Sequence, residues 1–379
     1  MYQYQKSHRY FAQVADDIKD LAEYELKSLG ADETRQAYRG IYLRADKKSM
    51  YKINYCSRLI NRVLAPLMTF DCHSDKYLYS QAYKIAWSDF LSPDDTFAVF
   101  ATVTNSAIKH SKYAALRLKD AVVDYFKDCT GRRPSIDTRN PSVWFNLYVE
   151  NNKAVISVDT SGGSLHRRGY RRESLEAPMA ETVAASIIRY SQWDGNTPLV
   201  DPFCGAGTLL CEAYMHAASI PASIKRVQFG FERLPDYDTA CWQAIRNEAR
   251  SAINDVAQGL ISGSDVDSKA VGAAICNCKV LDEQQRIRIT RKDAFQIDRL
   301  PNCTIICNPP YGIRMNSEQN LAPFYKRLGD FLKQKCTGST AYIYFGNRTY
   351  LKHIGLKPAW KQILFNGGLD GRLAKFVMY

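Results

Sequence analysis

No stretch of the 379-residue chain approaches 18 uninterrupted apolar residues, so no transmembrane helix is expected. Met1 to Phe11 are polar and aromatic and lack the apolar core of a secretory signal, which places the chain in the cytoplasm. Paired thiols are missing as well. None of the 11 cysteines stands at Cys-x-x-Cys spacing, and the nearest approaches are Cys276-Asn277-Cys278 and Cys303 with Cys307. The six histidines are scattered. A zinc or iron–sulfur site wants tighter pairs and clustered partners, so no metal is expected and the thiols read as reduced and mostly buried. Internal repeats and low-complexity segments are absent. At 46% hydrophobic and 24% charged residues, the composition excludes a disordered chain or a collagen. The 379 residues suit two or three domains at about 150 residues each, with a core large enough to need no disulfides. Acidic residues are in deficit: 39 Asp and Glu face 51 Lys and Arg, a formal net charge of +12. That balance favours a polyanionic partner, and without membrane signals nucleic acid is the better of the two polyanions.

The first 160 residues mix helices with short strands. Val14, Ile18, Ala22, Leu26 and Leu29 recur at helical spacing and predict a helix over 14–29, with Gly30 as its stop. Strands are expected at 40–43, 96–103 and 143–149, and a helix at 49–59. A long helix at 113–126 would carry Leu116, Val123 and Phe126 on one face. Asn151-Asn152 reads as a hairpin turn into a strand at 154–158. This is an α+β pattern. Beyond Ser161-Gly162-Gly163 the rhythm changes: a helix at 178–190, then strands at 198–200, 260–264, 286–290, 304–307 and 342–345 with helices between most of them. Such alternation argues an α/β architecture with a parallel, doubly wound sheet.

Four places carry chemistry. Asp201-Pro202-Phe203-Cys204-Gly205-Ala206-Gly207-Thr208 follows a strand and precedes a helix. Its small residues let a ligand approach the backbone, and the helix N-terminus offers unpaired N–H groups. An ordinary strand-to-helix turn would read the same. It is neither a phosphate-binding P-loop, lacking Gly-Lys-Ser/Thr, nor a full Gly-x-Gly-x-x-Gly fingerprint. Ile261-Ser262-Gly263-Ser264-Asp265 is a strand ending in an acid, which suits a ribose diol or, equally, a helix cap. Lys292-Asp293-Ala294-Phe295 offers an acid to a purine amino group or to solvent. Ile305-Ile306-Cys307-Asn308-Pro309-Pro310-Tyr311-Gly312 is the most specific: an apolar strand ends abruptly in Asn-Pro-Pro-Tyr. The prolines stop the ladder and stiffen the loop. The Asn308 side-chain carbonyl and the Pro309 backbone carbonyl then form a fixed pair of acceptors for a planar amino group. Tyr311 offers a face on which a base can stack.

These four motifs in this order resemble the class I S-adenosylmethionine-dependent methyltransferases that modify exocyclic amines of adenine and guanine. Upstream, Leu118-Lys119-Asp120-Ala121-Val122-Val123-Asp124 resembles the signature of the THUMP domain, an RNA-binding module. The segment from Asp159 through Arg167-Arg168-Gly169-Tyr170-Arg171, and Phe365 to Leu373 near the C-terminus, are similar to the bacterial ribosomal large-subunit RNA guanine-N2 methyltransferases. The likeness is to the N-terminal half of the fused enzyme called methyltransferase L, whose second methyltransferase half this chain lacks.

The resemblance implies a Rossmann-like methyltransferase domain with a seven-stranded, mostly parallel sheet, preceded by a ferredoxin-like and THUMP region. Domains are expected at 1–50 (ferredoxin-like), 51–160 (THUMP) and 161–379 (methyltransferase). It implies S-adenosyl-L-methionine as cofactor. Asp201, Phe203, Cys204, Gly205, Gly207 and Thr208 would hold the methionine part, Asp265 and Val266 the ribose, and Asp293 and Ala294 the adenine, with Asn308 bordering both cofactor and target. Asn308, Pro309, Pro310 and Tyr311 would be catalytic. The implied partner is RNA, foremost 23S ribosomal RNA or its assembly intermediate, methylated at guanosine N2. Beside such a module Arg167, Arg168, Arg171 and Arg172, with Lys119, are expected on phosphate, although four arginines within six positions also make a solvated loop. Three other functions share these features: a tRNA guanine-N2 methyltransferase, an adenine-N6 methyltransferase acting on DNA or RNA, and a non-catalytic RNA-binding assembly factor.

Overall fold

The computed structural model describes residues 1–176, 178–310 and 321–379. The chain forms two compact units: Met1–Leu165 with Arg226–Asn247, and His166–Lys225 with Glu248–Tyr379. Among the described residues no helix is long and apolar enough to cross a membrane.

The first unit is built on an eight-stranded sheet of β1 (Arg9–Gln13), β2 (Glu33–Ala37), β3 (Gly40–Arg44), β4 (Arg62–Asp71), β5 (Thr96–Thr104), β6 (Ser135–Ile136), β7 (Val143–Glu150) and β8 (Lys153–Asp159). The strand order is β2-β3-β1-β4-β8-β7-β5-β6. Asn151 and Asn152, at φ 50° and 58°, form the tight turn between β7 and β8. The segment expected as one helix over 14–29 is a 3-10 turn, Asp16–Ile18, followed by a helix, Lys19–Ser28. The helix cannot begin earlier because the Val14 amide still bonds the Arg39 carbonyl at 3.1 Å. The long helix spans Ser111–Thr130, but Leu116 lies on its wet side at 47% exposure. Ala114, Leu118, Ala121, Val122 and Phe126 make the buried stripe, as a 3.6-residue period requires. Arg62 pairs with the buried Asp159 and lies 4.6 Å from the Phe100 ring centroid and 4.8 Å from that of Trp144. Residues 226–247 bring Phe229, Phe231 and Trp242 to Tyr51 and Tyr55, with Tyr51 stacked on Phe231 at 4.4 Å.

The second unit carries β9 (Leu199–Asp201), β10 (Ile261–Asp265), β11 (Arg288–Arg291), β12 (Thr304–Cys307), β13 (Thr340–Phe345), β14 (Trp360–Ile363) and β15 (Arg372–Val377). They form a seven-stranded sheet in the order β11-β10-β9-β12-β13-β15-β14. β15 runs antiparallel to both neighbours, and the rest are parallel. β9 lies centrally, with the chain progressing outward through β10 and β11 on one side and β12 on the other. A crevice therefore opens between the carboxyl ends of β9 and β12, where ligands bind in doubly wound sheets. Ile305, Ile343, Phe345, Tyr325, Leu328 and Phe376 form a core beneath one face. Each contributes roughly 1.5–3 kcal/mol by burial, which keeps the strand ends above them rigid.

Candidate active site

The short apolar strand Leu199-Val200 ends at Asp201, 1% exposed, whose Oδ1 accepts the Phe203 amide at 3.0 Å. Burial pushes this carboxyl well above the usual carboxylate range, and the Asp265 carboxylate adds to the rise. The chain then turns tightly. The Cys204 amide donates to the Ser264 carbonyl at 2.9 Å, Gly205 to Asp265 Oδ2 at 2.9 Å, and Gly207 to the Cys204 carbonyl at 2.8 Å. The donors at the front of the turn thus point inward, and Asp265 is locked to the loop. Gly207 sits at φ +78° as the N-cap of the helix Thr208–Ala217, and a Cβ there would come within 3.2 Å of Ala274. Burial pushes the Cys204 and Cys307 thiols far up, so neither is a thiolate nucleophile.

Asp201, Phe203, Cys204, Gly205, Thr208 and Asn308 line one pocket. Leu175, Pro178 and Met179, which sequence reasoning passed over, close it from the segment before the helix Glu181–Ser191. Asn308 follows β12 directly and is 9% exposed. Its Oδ1 is buried and has no hydrogen-bond partner among the described residues. An unpartnered buried acceptor costs about 1–3 kcal/mol, so this one is suited to a donor that arrives from outside. Pro309 and Pro310 continue the loop, and the Pro310 carbonyl accepts from Tyr325 Oη at 3.1 Å. Tyr325 is fully buried and stacks on Phe345 (5.3 Å) and Tyr350 (5.0 Å). Tyr311 lies outside the described residues.

Asp265, Val266, Asp293 and Ala294 stand at the same carboxyl edge on β10 and β11 but do not line that pocket. Asp265 Oδ1 accepts the Asp267 amide at 3.0 Å, and Val266 is 64% exposed. Asp293 caps the turn Ala294–Gln296 by accepting the Phe295 amide at 3.0 Å, and Ala294 is buried.

The basic junction requires a correction. Arg168 has a fully buried side chain, with Nε 3.4 Å from Glu212 Oε1, and Tyr170 Oη donates to the same oxygen at 3.1 Å. Glu212 belongs to the helix behind the glycine turn, so Arg168 braces the turn and cannot meet a phosphate. Arg171 is committed too, to Glu181 at 3.1 Å and the Met179 carbonyl at 2.9 Å. Arg167 and Arg172 are exposed. Lys119 is half-buried and paired with Asp120 at 2.5 Å.

Asn277, which sequence reasoning passed over, supports the turn. Asn277 is 1% exposed. Its amide donates to the carbonyls of Ala206 (3.0 Å) and Glu173 (2.9 Å), and its Oδ1 accepts the amides of Arg172 (2.7 Å) and Glu173 (2.9 Å). Cys278 touches Cys211 Sγ to Sγ at 3.6 Å, and all eleven cysteines are free.

The crevice, the small-residue turn and the acids at the next two strand ends fit S-adenosylmethionine. Comparison with known proteins agrees. Residues 168–375 match the RMKL-like methyltransferase domain, 72–159 the THUMP domain and 9–64 the RlmL ferredoxin-like domain. A Synechocystis protein named as an RNA methyltransferase is 35% identical, covering 98% of this chain and 97% of its own. The ribosomal RNA large subunit methyltransferase K/L of Cellvibrio japonicus is 35% identical over 97% of this chain and 51% of its own length. That of Syntrophotalea carbinolica is 34% identical over 97% and 53%. The chain thus spans about half the length of these K/L relatives. A methyltransferase solved with S-adenosylhomocysteine (SMU.472) superposes with a TM-score of 0.84 at 26% identity, covering 98% of both chains. Fold and site together define an S-adenosylmethionine-dependent methyltransferase. The chain belongs to the family of the RMKL-like methyltransferase domain.

Proposed function

We propose that the chain transfers a methyl group from S-adenosylmethionine to the exocyclic N2 amine of a guanosine in 23S ribosomal RNA or its assembly intermediate. The observation that carries this reading is the buried Asn308 Oδ1 with no partner among the described residues, at the mouth of the β9–β12 crevice. S-adenosylmethionine would supply a methyl group already activated on a sulfonium, its methyl–sulfur bond breaking to leave S-adenosylhomocysteine. Asn308 Oδ1 and the Pro309 carbonyl accept the two hydrogens of the amine. That nitrogen is a poor nucleophile because its lone pair is delocalised into the ring. Two fixed acceptors favour its pyramidal form and stabilise the positive charge that develops during attack. Positioning does much of the rest, and the surplus proton leaves to water. Asp201 and the turn over 203–208 hold the methionine part, Asp265 and Val266 the ribose, Asp293 and Ala294 the adenine, and Tyr311 stacks on the target base.

The base must leave its stack to reach such a crevice, so single-stranded or unfolded ribosomal RNA suits it better than paired RNA. The ferredoxin-like part (1–50) and the THUMP module (51–160) supply affinity, Arg167 and Arg172 meet phosphate, and residues 161–379 supply the chemistry, apart from 226–247, which fold with the first unit. Labelled methyl transfer to 23S RNA, tRNA and DNA, followed by nucleoside mass analysis, tests the reading. N2-methylguanosine in 23S RNA is expected. N6-methyladenosine, or label in DNA or tRNA alone, overturns it.

A further inference from the structure

The 3-10 turn Arg348–His353 and the run to Lys361 border a groove beside the sheet. Arg348, Lys352, Lys357 and Lys361 stand on it, and among the described residues no acidic one lines it. Arg348 is engaged by Asp370 at 3.3 Å. The three lysines are exposed and have no ion pair among the described residues. Solvated lysines clustered along one groove can share an anionic ligand, and as point charges they meet phosphate without reading bases. The half-buried Leu351 and Leu356 form its apolar floor.

The inner side of the same segment bears on the chemistry. Tyr350 lies parallel to Tyr325, with ring planes 9° apart, and Tyr325 donates to the Pro310 carbonyl at 3.1 Å. The segment also leaves β13 at its carboxyl end, the end at which parallel β12 delivers Asn308. The groove wall and the Asn-Pro-Pro loop are therefore one packed piece within the second unit.

We propose that this groove binds the RNA phosphates flanking the target nucleotide, as a docking surface of the catalytic unit separate from the THUMP module. It rests on the RNA reading above. The test compares the full chain with a Lys352→Ala, Lys357→Ala, Lys361→Ala triple variant. Affinity for a single-stranded RNA is measured across a salt series, and S-adenosylmethionine affinity by calorimetry. Three lost phosphate contacts flatten the slope of log K against log salt by about 2. Cofactor affinity stays unchanged, since none of the three lysines lines the crevice. An unchanged slope in a variant that still binds cofactor overturns the groove while leaving the RNA reading intact. Failure of the unaltered chain to bind RNA overturns both.

Discussion

Asn277 donates a hydrogen bond to the Ala206 carbonyl at 3.0 Å, inside the turn that lines the cofactor crevice. With its remaining bonds to residues 172 and 173, one buried side chain ties the turn to the strap that leads into Leu175, Pro178 and Met179. Replacing it by alanine removes the partner of one buried and three partly buried backbone groups. Asn277→Ala is expected to lose about 2–4 kcal/mol of stability and to weaken S-adenosylmethionine binding. Thermal melting and calorimetry check this, and normal values for both would remove Asn277 from the site's support.

Asn308→Ala removes one of the two acceptors proposed for the amine without touching the turn at 203–208. Transfer should fall by about 100-fold or more while cofactor affinity holds. Single-turnover rates beside calorimetric titration separate the two, and normal turnover would dismiss Asn308 as a catalytic residue.

Tyr325→Phe keeps the ring stack on Phe345 and Tyr350 but drops the bond to the Pro310 carbonyl. The loss of about 1 kcal/mol of loop positioning should lower kcat roughly fivefold with cofactor affinity unchanged. An unaltered kcat would show that the two prolines suffice to hold the loop.

The two kinds of arginine at the junction should separate cleanly. Arg168→Ala strands Glu212 without its guanidinium and should cost about 3–5 kcal/mol in stability. Charge reversal at Arg167 and Arg172 should leave melting nearly unchanged and flatten the salt dependence of RNA binding. A flattened slope with no loss of stability in Arg168→Ala would contradict the buried pair.

Asp201 supplies a pH signature. Its folded carboxyl titrates well above the unfolded value of about 4, because burial and then the Asp265 carboxylate disfavour the charge. The folded chain thus binds this proton more tightly than the unfolded chain. Stability from this group is full below about pH 4 and is lost as pH rises toward the folded pKa. Asp201→Asn escapes that loss. Without cofactor, its melting temperature should exceed that of the unaltered chain at pH 8 and converge with it near pH 4, while cofactor binding weakens. A constant difference across pH would refute the assignment.

What could be read from the amino acids alone was what they punctuate locally. The ends of β9, β10 and β12 are marked by Asp201, Asp265 and Asn308-Pro309-Pro310, so the elements of the crevice were legible before their sheet order was known. β2 was not, because Glu-Thr-Arg-Gln-Ala is a largely wet strand with no apolar alternation. β4 was hidden by Pro66 and by the irregular register between Pro66 and Met68. Arg168 was misjudged because its carboxylate lies 44 residues away, and four neighbouring arginines look alike until that partner is known. Asn277 met the same obstacle, its partners standing 71 and 104 residues off. Nothing in composition marks where residues 226–247 leave one core and join the other.

That excursion bears on how the molecule can be taken apart. A cut after Leu165 removes Phe229, Phe231 and Trp242 from the fragment that holds Tyr51 and Tyr55, and leaves three large aromatic side chains uncovered on the other. Each half would then expose sticky surface and is expected to precipitate rather than fold. A gene split at that point would therefore not be expected to yield two working modules, whereas a first fragment that keeps residues 226–247 retains its own aromatic core.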